Sequence, residues 1–540
     1  MSGTVIENLS GKKLSILVIC FFLCQITCFL VGGFIAPQPA GIDSVLATKC
    51  ASRGNDSDWL YIRGKNPCKS IESFDELQQY EHEIVFVFQI PTPRGGMILD
   101  YSRWQQMLIG ILHLDVYYHS VNENQMEPKT AITLYSKLGY KNRNDDDDNW
   151  KLYASSVEQR NLECEISVKK DGYPYNCSVI PLFELGSLHH DFYLLNIRLP
   201  VDHKKKINVG LGHIADMWLF IINQTGGFTK VWISLKCFFF PIIIGGLVWF
   251  YQRIHKLKRK PLLLESMLIL VSSTLTLLNM PLEILTLYFE LPFMLFFTDI
   301  RQGIFYASLL SFWLVFSGEH LMVSFESQKH HLLNYWKYLS SVVIGCIALF
   351  FFDLCERGIQ LRNPFYSIWA TDFGYHLAMA FLIIGALCGT GYFLVLCFLI
   401  WKVFCNMRTK KASLPAMSQA RRLHYTGIIY RFNFLMIATL LCAALTIISF
   451  SLGQVSEGQW KWSENHDLEF ASAFFTGVYG MWNIYIFALL VLYAPSHKKW
   501  PAQRVSEEQS TMEEIEFSCL DPEPSEVSAL TTFVKKTALD

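Results

Sequence analysis

Eight apolar stretches divide this chain, and an interval of some 195 residues separates the first from the second. A helix needs about 20 mostly apolar residues to cross roughly 30 Å of hydrocarbon. Runs near 14–36, 231–251, 263–287, 303–323, 338–356, 374–404, 433–453 and 472–494 meet that length. A chain of 540 residues that is 51% hydrophobic and 17% charged is too apolar for an ordinary soluble enzyme, so a bilayer must hide much of its surface. The fold class that follows is a multi-pass α-helical membrane protein. The first run follows Lys12 and Lys13, exceeds the core of a cleaved signal peptide and ends in Ala36-Pro37-Gln38-Pro39, which reads as an uncleaved anchor. The sixth run is long enough to tilt or to project beyond the membrane.

The formal net charge of −1 points to no nucleic-acid partner, so the placement of the charges carries the information. With a cytosolic N-terminus, thirteen Lys and Arg fall in short cytosolic loops, against four, Arg301, Arg357, Arg362 and Lys461, on the opposite side. Basic residues favour the cytosolic side. That bias puts both termini in the cytosol and residues 37–230 in the lumen or outside. The resulting division is a cytosolic segment 1–13, a first span 14–36, a lumenal domain 37–230, seven spans within 231–494 and a tail 495–540. The tail is rich in Ser, Thr and Glu and is expected to be disordered.

The lumenal interval holds four of the 15 cysteines, Cys50, Cys68, Cys164 and Cys177, an even number in an oxidising compartment. Three pairings are open, and loop closure favours Cys50 with Cys68 and Cys164 with Cys177. Asn-x-Ser/Thr sequons at Asn55, Asn176 and Asn223 fit the same side, although Asn223 lies close to the second span. Period-two alternation, as in Leu112, Leu114 and Val116 against His113, Asp115 and Tyr117, predicts strands there and in 195–199. Further candidates at 83–90, 130–136, 163–168, 176–182 and 207–222 bring the count to about seven, a β-sandwich. The acidic run from Asn144 to Asn149 lacks the spaced ligands and turn glycine of a calcium loop and reads as solvated. Lys204-Lys205-Lys206 reads as a turn between strands, although a protein partner bringing acidic groups could use it. No Ser, His and Asp set and no carboxylate pair announces an enzyme, and neither metal nor cofactor is implied.

Inside the spans, Asn279, Glu283, Glu319, His320, Asp353 and Asn483 are costly in hydrocarbon and call for a reason. They line a polar cavity or lock helices together by hydrogen bonds, and the sequence leaves both open. Pro281 is expected to kink the third span beside Asn279 and Glu283. Gly385 and Gly389, four apart in the sixth span, predict close helix packing. In a cytosolic loop, Tyr425-Thr426-Gly427-Ile428 places an apolar residue three after a tyrosine, the spacing an adaptor reads in an extended peptide.

Several segments, in this order and spacing, closely resemble the Wntless family. They are Gly226-Gly227-Phe228-Thr229-Lys230-Val231-Trp232, Ile300-Arg301-Gln302-Gly303-Ile304-Phe305-Tyr306, Cys355-Glu356-Arg357-Gly358-Ile359-Gln360-Leu361 and Asn363-Pro364-Phe365-Tyr366-Ser367-Ile368-Trp369. Ser413-Leu414-Pro415-Ala416-Met417, Arg421-Arg422-Leu423-His424-Tyr425 and Tyr479-Gly480-Met481-Trp482-Asn483 continue the match, which covers roughly residues 5–498. The resemblance implies a receptor that carries acylated Wnt proteins from the endoplasmic reticulum through the Golgi to the surface of the secreting cell. It also implies a GOLD-like lumenal sandwich, and a GPCR-like bundle in spans two to eight that takes up the acyl chain from among membrane lipids. The family's endocytic motif falls on Tyr425 and Ile428, implying a clathrin adaptor and retromer as partners and passage through endosomes. The chain ends Lys535-Lys536-Thr537-Ala538-Leu539-Asp540, where vertebrate relatives carry a signal for return to the endoplasmic reticulum.

A G-protein-coupled signalling receptor is the main rival. Its signatures are missing: Gly318-Glu319-His320 stands where an acidic-Arg-Tyr triplet is expected, and Asn483-Ile484-Tyr485 lacks the Asn-Pro pair. An acyltransferase would rest on His320 alone, and a secondary transporter would need repeated halves that the sequence does not show.

Overall fold

The computed structural model describes residues 5–495 apart from 10, 53–59, 64–67, 71–82, 94–96, 119–128, 147, 203, 212, 323–334, 414–418 and 463–470. One helical turn, α1 (Val5–Asn8), precedes the first span, α2 (Gly11–Leu30), which closes with a wide turn over Val31–Ile35. The chain then enters a β-sandwich. Its strands are β1 (Ala40–Leu46), β2 (Thr48–Ser52), β3 (Lys69–Ser70), β4 (Glu83–Ile90), β5 (Gln106–Tyr117) and β6 (Lys129–Lys141). They are followed by β7 (Lys151–Glu165), β8 (Asn176–Cys177), β9 (Ile180–Ser187), β10 (Phe192–Arg198) and β11 (His213–Gln224).

One sheet has the order β1-β11-β5-β9 and the other β3-β2-β4-β10-β6-β7-β8, and neighbouring strands run antiparallel. Leu112, Leu114 and Val116 of β5 are buried while His113 and Asp115 are not, so the alternation read from sequence faces a real core. Leu219 and Ile221 of β11 join that core from the same sheet, and Leu195, Ile197 and Ile132 come from the opposite one. The candidate at 83–90 coincides with β4. The candidate at 163–168 starts almost where β7 ends, and 176–182 divides into β8 and the start of β9. Strand β7 escaped notice because both its faces carry polar residues. Ser155, Gln159 and Asn161 face solvent, while Ser156, Glu158 and Arg160 face partners in the membrane half of the protein.

Disulfides join Cys50 to Cys68 and Cys164 to Cys177, closing intervals of 18 and 13 residues. Asn176 is exposed on β8, Asn223 is buried on β11, and Asn55 lies outside the described residues. The lysine turn forms as expected: Asp202 and Ile207 bridge across it, and the Asp202 carboxylate accepts from the backbone N–H groups of Lys204 and Lys205. In the acidic run, Asp145 accepts from the backbone N–H of Asn142.

Strand β11 passes into the second span through one residue, Thr225, whose hydroxyl accepts from the Phe228 N–H and caps α3 (Gly226–His255). The remaining helices are α4 (Leu263–Asn279), α5 (Met294–Met322), α6 (Trp336–Gln360), α7 (Asp372–Ser413), α8 (Gln419–Trp462) and α9 (Ala471–Tyr493). Eight helices among the described residues are long and apolar enough to cross a membrane. Pro281 does more than kink the third span. The α-helix ends at Asn279, and a 3-10 turn, Leu282–Leu287, takes over. The sixth span continues as α7 for 42 residues.

Helix α9 is the centre of the bundle and α2 lies outside it. A Cβ on Gly477 or Gly480 of α9 would collide with Phe29 or Cys28 of α2, so these glycines let the two helices approach. In α7, a Cβ on Gly385 would meet Leu349 of α6 at 3.2 Å, whereas Gly389 and Gly391 face open space. Only the first member of the expected pair is therefore a packing position. At the end of the bundle away from the sandwich Ile6 is buried, the Val5 N–H donates to the Ala494 carbonyl and Arg431 donates to the Ile6 carbonyl.

Candidate functional site

The polar residues expected in the membrane fall into three places. Asn279 on α4 and Asn483 on α9 are fully buried and meet, the Asn279 amide donating to the Asn483 oxygen at 2.6 Å. Tyr479 donates its hydroxyl to Asn279 Oδ1 at 2.6 Å, and Asn483 donates back to the Tyr479 carbonyl at 2.9 Å. Each amide thus finds both a donor and an acceptor, as a buried side chain must.

Glu283 sits in the 3-10 turn just beyond and accepts from Lys236 of α3 at 2.6 Å and from Arg301 of α5. Arg301 also donates to the Met280 carbonyl at 2.8 Å, an acceptor it shares with the Leu282 N–H across the break at Pro281. Pro281 therefore does two things: it turns Glu283 inward and supplies an acceptor for the guanidinium. Lys236 and Arg301 were missed in the sequence. Arg301 counted among the loop residues because the span was placed from 303, whereas α5 begins at Met294 and buries it. Lys236 stands alone in the apolar run of the second span, and that isolation was itself a signal.

The other three residues, Glu319, His320 and Asp353, lie elsewhere. Glu319, near the C-terminal end of α5, accepts from Tyr335 at 2.8 Å, and Asp353 is half-buried on α6. His320 is on α5 and Tyr425 and Ile428 are on α8, with side chains outside the described ones. The backbone at Tyr425–Ile428 is helical, not the extended form that strand-type recognition requires.

A second set of residues ties the sandwich to the bundle. The loop between α6 and α7 rises into the sandwich and buries Phe365 completely in its core, with the ring 6.1 Å from Phe183. Arg160 of β7 donates to the Phe365 carbonyl, Asn363 donates to Glu158 at 3.0 Å, and the Glu184 N–H donates to the Pro364 carbonyl at 2.9 Å. Arg357 at the end of α6 pairs with Glu184 of β9 and with Asp299 of α5, each at 3.0 Å. A cavity lined by Tyr153, Glu184, Leu185, Leu295, Phe296 and Arg357 lies beside this junction.

Farther along, Gln106 donates to the Thr286 hydroxyl at 3.2 Å and Arg103 to the Leu287 carbonyl at 3.1 Å. The Leu291 N–H donates to His189 Nε2 at 3.2 Å, so that nitrogen carries no proton in this arrangement. Burial holds the pKa of His189 and of His190 below the ordinary histidine value, with the nearby Glu290 opposing in both cases. Segment 281–291 is thus shared. One end closes the ion cluster inside the bundle and the other end seats the sandwich.

Among the described residues, no group of three His, Cys, Asp or Glu is placed to hold a metal ion. The arrangement offers a rigid water-facing domain fixed to the mouth of a helical bundle.

Residues 48–224 match the family model of the Wntless GOLD domain, and residues 225–497 match that of the Wntless-like transmembrane domain. The border between the two matches falls at Thr225, the residue that caps α3. The chain is 54% identical to "Protein wntless" of Drosophila grimshawi over 563 aligned residues and 54% identical to that of Drosophila mojavensis over 562. It is 53% identical to that of Drosophila virilis over 562, and each alignment covers the whole of both chains.

Proposed function

Because this chain belongs to the Wntless family, we propose that it is a cargo receptor that binds lipid-modified Wnt proteins and escorts them from the endoplasmic reticulum and Golgi to the cell surface. The family is one of Wnt transport receptors rather than enzymes. The observation that supports the reading is the junction: Phe365 and Arg357 join the sandwich to the mouth of a multi-span bundle. A cargo with a folded body and an acyl chain needs both surfaces at once. Burying the acyl chain contributes about 0.8 kcal/mol per CH₂, enough for the lipid to be the main handle. Contacts with the sandwich add the selectivity for a protein that carries it.

Co-precipitation tests this directly. Wild-type Wnt is recovered with the receptor, and Wnt whose acylated serine is replaced by alanine is not; equal recovery of the two overturns the lipid handle.

After delivery the receptor returns by endocytosis, with both termini in the cytosol and Tyr425 and Ile428 presented to a clathrin adaptor, and retromer retrieves it from endosomes. Because the backbone there is helical, adaptor engagement unwinds the start of α8. Tyr425→Ala raises the surface level of the receptor in an antibody-uptake assay, and unchanged uptake removes the sorting role.

A further inference from the structure

The strand registers identify which end of the sandwich faces the membrane. Ala40 pairs with Gln224, Gln224 with Gln106 and Gln106 with Ser187. Ala40 follows the first span closely and Gln224 lies two residues before α3, so this row is the membrane end of its sheet. In the other sheet Ile90 pairs with Tyr193 and Lys141 with Phe192, and β10 follows β9 after the short link Leu188-His189-His190-Asp191. Those residues therefore lie at the same end. The chain leaves the sandwich at Ile90 and re-enters it at Gln106, both on the side of the bilayer.

The stretch leading into Gln106 is pinned down. Arg103 and Gln106 donate to Leu287 and Thr286, the Tyr101 N–H donates to the Asp191 carbonyl at 3.0 Å, and Lys230 of α3 lies 5.5 Å from the Trp104 ring. Ahead of it Met97, Ile98 and Leu99 stand out at 69%, 72% and 38% exposure, consecutive apolar residues left largely uncovered by the described residues of the sandwich. The bundle segment that pins the loop also exposes Tyr288 and Phe289, between two spans and therefore at the depth of the headgroups.

We propose that Met97–Leu99 form a wedge that dips into the outer leaflet, so that the bilayer itself is a binding partner of the sandwich. Apolar tips held at that height sit in the boundary between headgroups and acyl chains, about 5–10 Å deep, as an interfacial helix does. Asp100, paired with Arg143 at 3.4 Å, marks the edge that stays wet. The wedge adds a contact with the bilayer to the two chain crossings and the Phe365 junction, and it needs no cargo.

An environment-sensitive fluorescent amino acid in place of Ile98, in the full chain in phosphatidylcholine nanodiscs, tests this. The same probe in place of Val201, which is 61% exposed at the opposite end of the sandwich, is the control, and Met97 is a second test position. Position 98 should emit to the blue and lose roughly half its intensity when the acyl chains are brominated, as a probe at the acyl boundary does, while position 201 stays unchanged. Equal intensity in plain and brominated lipid at both 97 and 98 overturns the proposal, as does equal quenching at 201. A response at 98 that arises only when acylated Wnt is added assigns the loop to cargo and also overturns it.

Discussion

Two ion clusters hold the halves of this molecule, and they carry opposite excess charge. Inside the bundle two cations, Lys236 and Arg301, share one carboxylate, Glu283, with the cations 1% exposed and the carboxylate 12%. At the junction one cation, Arg357, lies between two carboxylates, Glu184 and Asp299, with exposures of 18%, 14% and 27%. Water reaches the second set and absorbs part of its excess charge. In the first set only protein atoms are available, so each member depends on the others being present.

The contrast is broken or sharpened by removing one member from each. Glu283→Ala leaves two buried cations without a counter-charge, and a loss of about 3–5 kcal/mol in stability is expected. Thermal unfolding in detergent reads it, with Glu283→Gln milder because the amide still accepts a hydrogen bond. Arg357→Ala should cost only about 1–2 kcal/mol, since its carboxylates can turn to solvent. It should show as faster proteolysis within 361–371 rather than as loss of the bundle. Equal costs for the two variants would mean that burial does not separate the clusters.

The smallest effect concerns His189. Its pKa is lowered by burial when the sandwich is seated, so the seated form binds fewer protons than the separated form. Seating is therefore unaffected above about pH 6.5 and weakens as the pH falls below it. Hydrogen exchange of 286–292, corrected for its intrinsic rate, should rise between about pH 7 and about pH 5.5. His189→Gln should flatten that rise, because the amide carries no titrating proton.

The spans were legible because twenty apolar residues leave a chain little choice, and the β5 strand because one of its faces is dry; β10 alternates in sequence yet is buried on both faces, Asn196 and Arg198 included. What was not legible follows from distance. Phe365 sits in a loop between spans, and nothing around it shows that its ring enters the core of a domain some 180 residues earlier, against Phe183. Short strands such as β2 and β3 have too few residues for a period, and they are held by pairing with β4 and by a disulfide. Asn279, Glu283 and Asn483 were visible as costs, but the partners Tyr479 and Lys236 were not, because helix packing chooses them.

Strands β1 and β11 pair along their length, and both cross into the membrane from the same rung, Ala40 opposite Gln224. The Thr225 hydroxyl donates to the Gln38 carbonyl and the Ser472 hydroxyl to the Pro37 carbonyl just below it. The stalk of the sandwich is thus a two-stranded ribbon rather than a single thread. A thread lets its load spin; a ribbon resists torsion and bends in one plane only. Whatever the sandwich carries is presented to the bilayer at a fixed azimuth, and a pull on it is shared between two anchors.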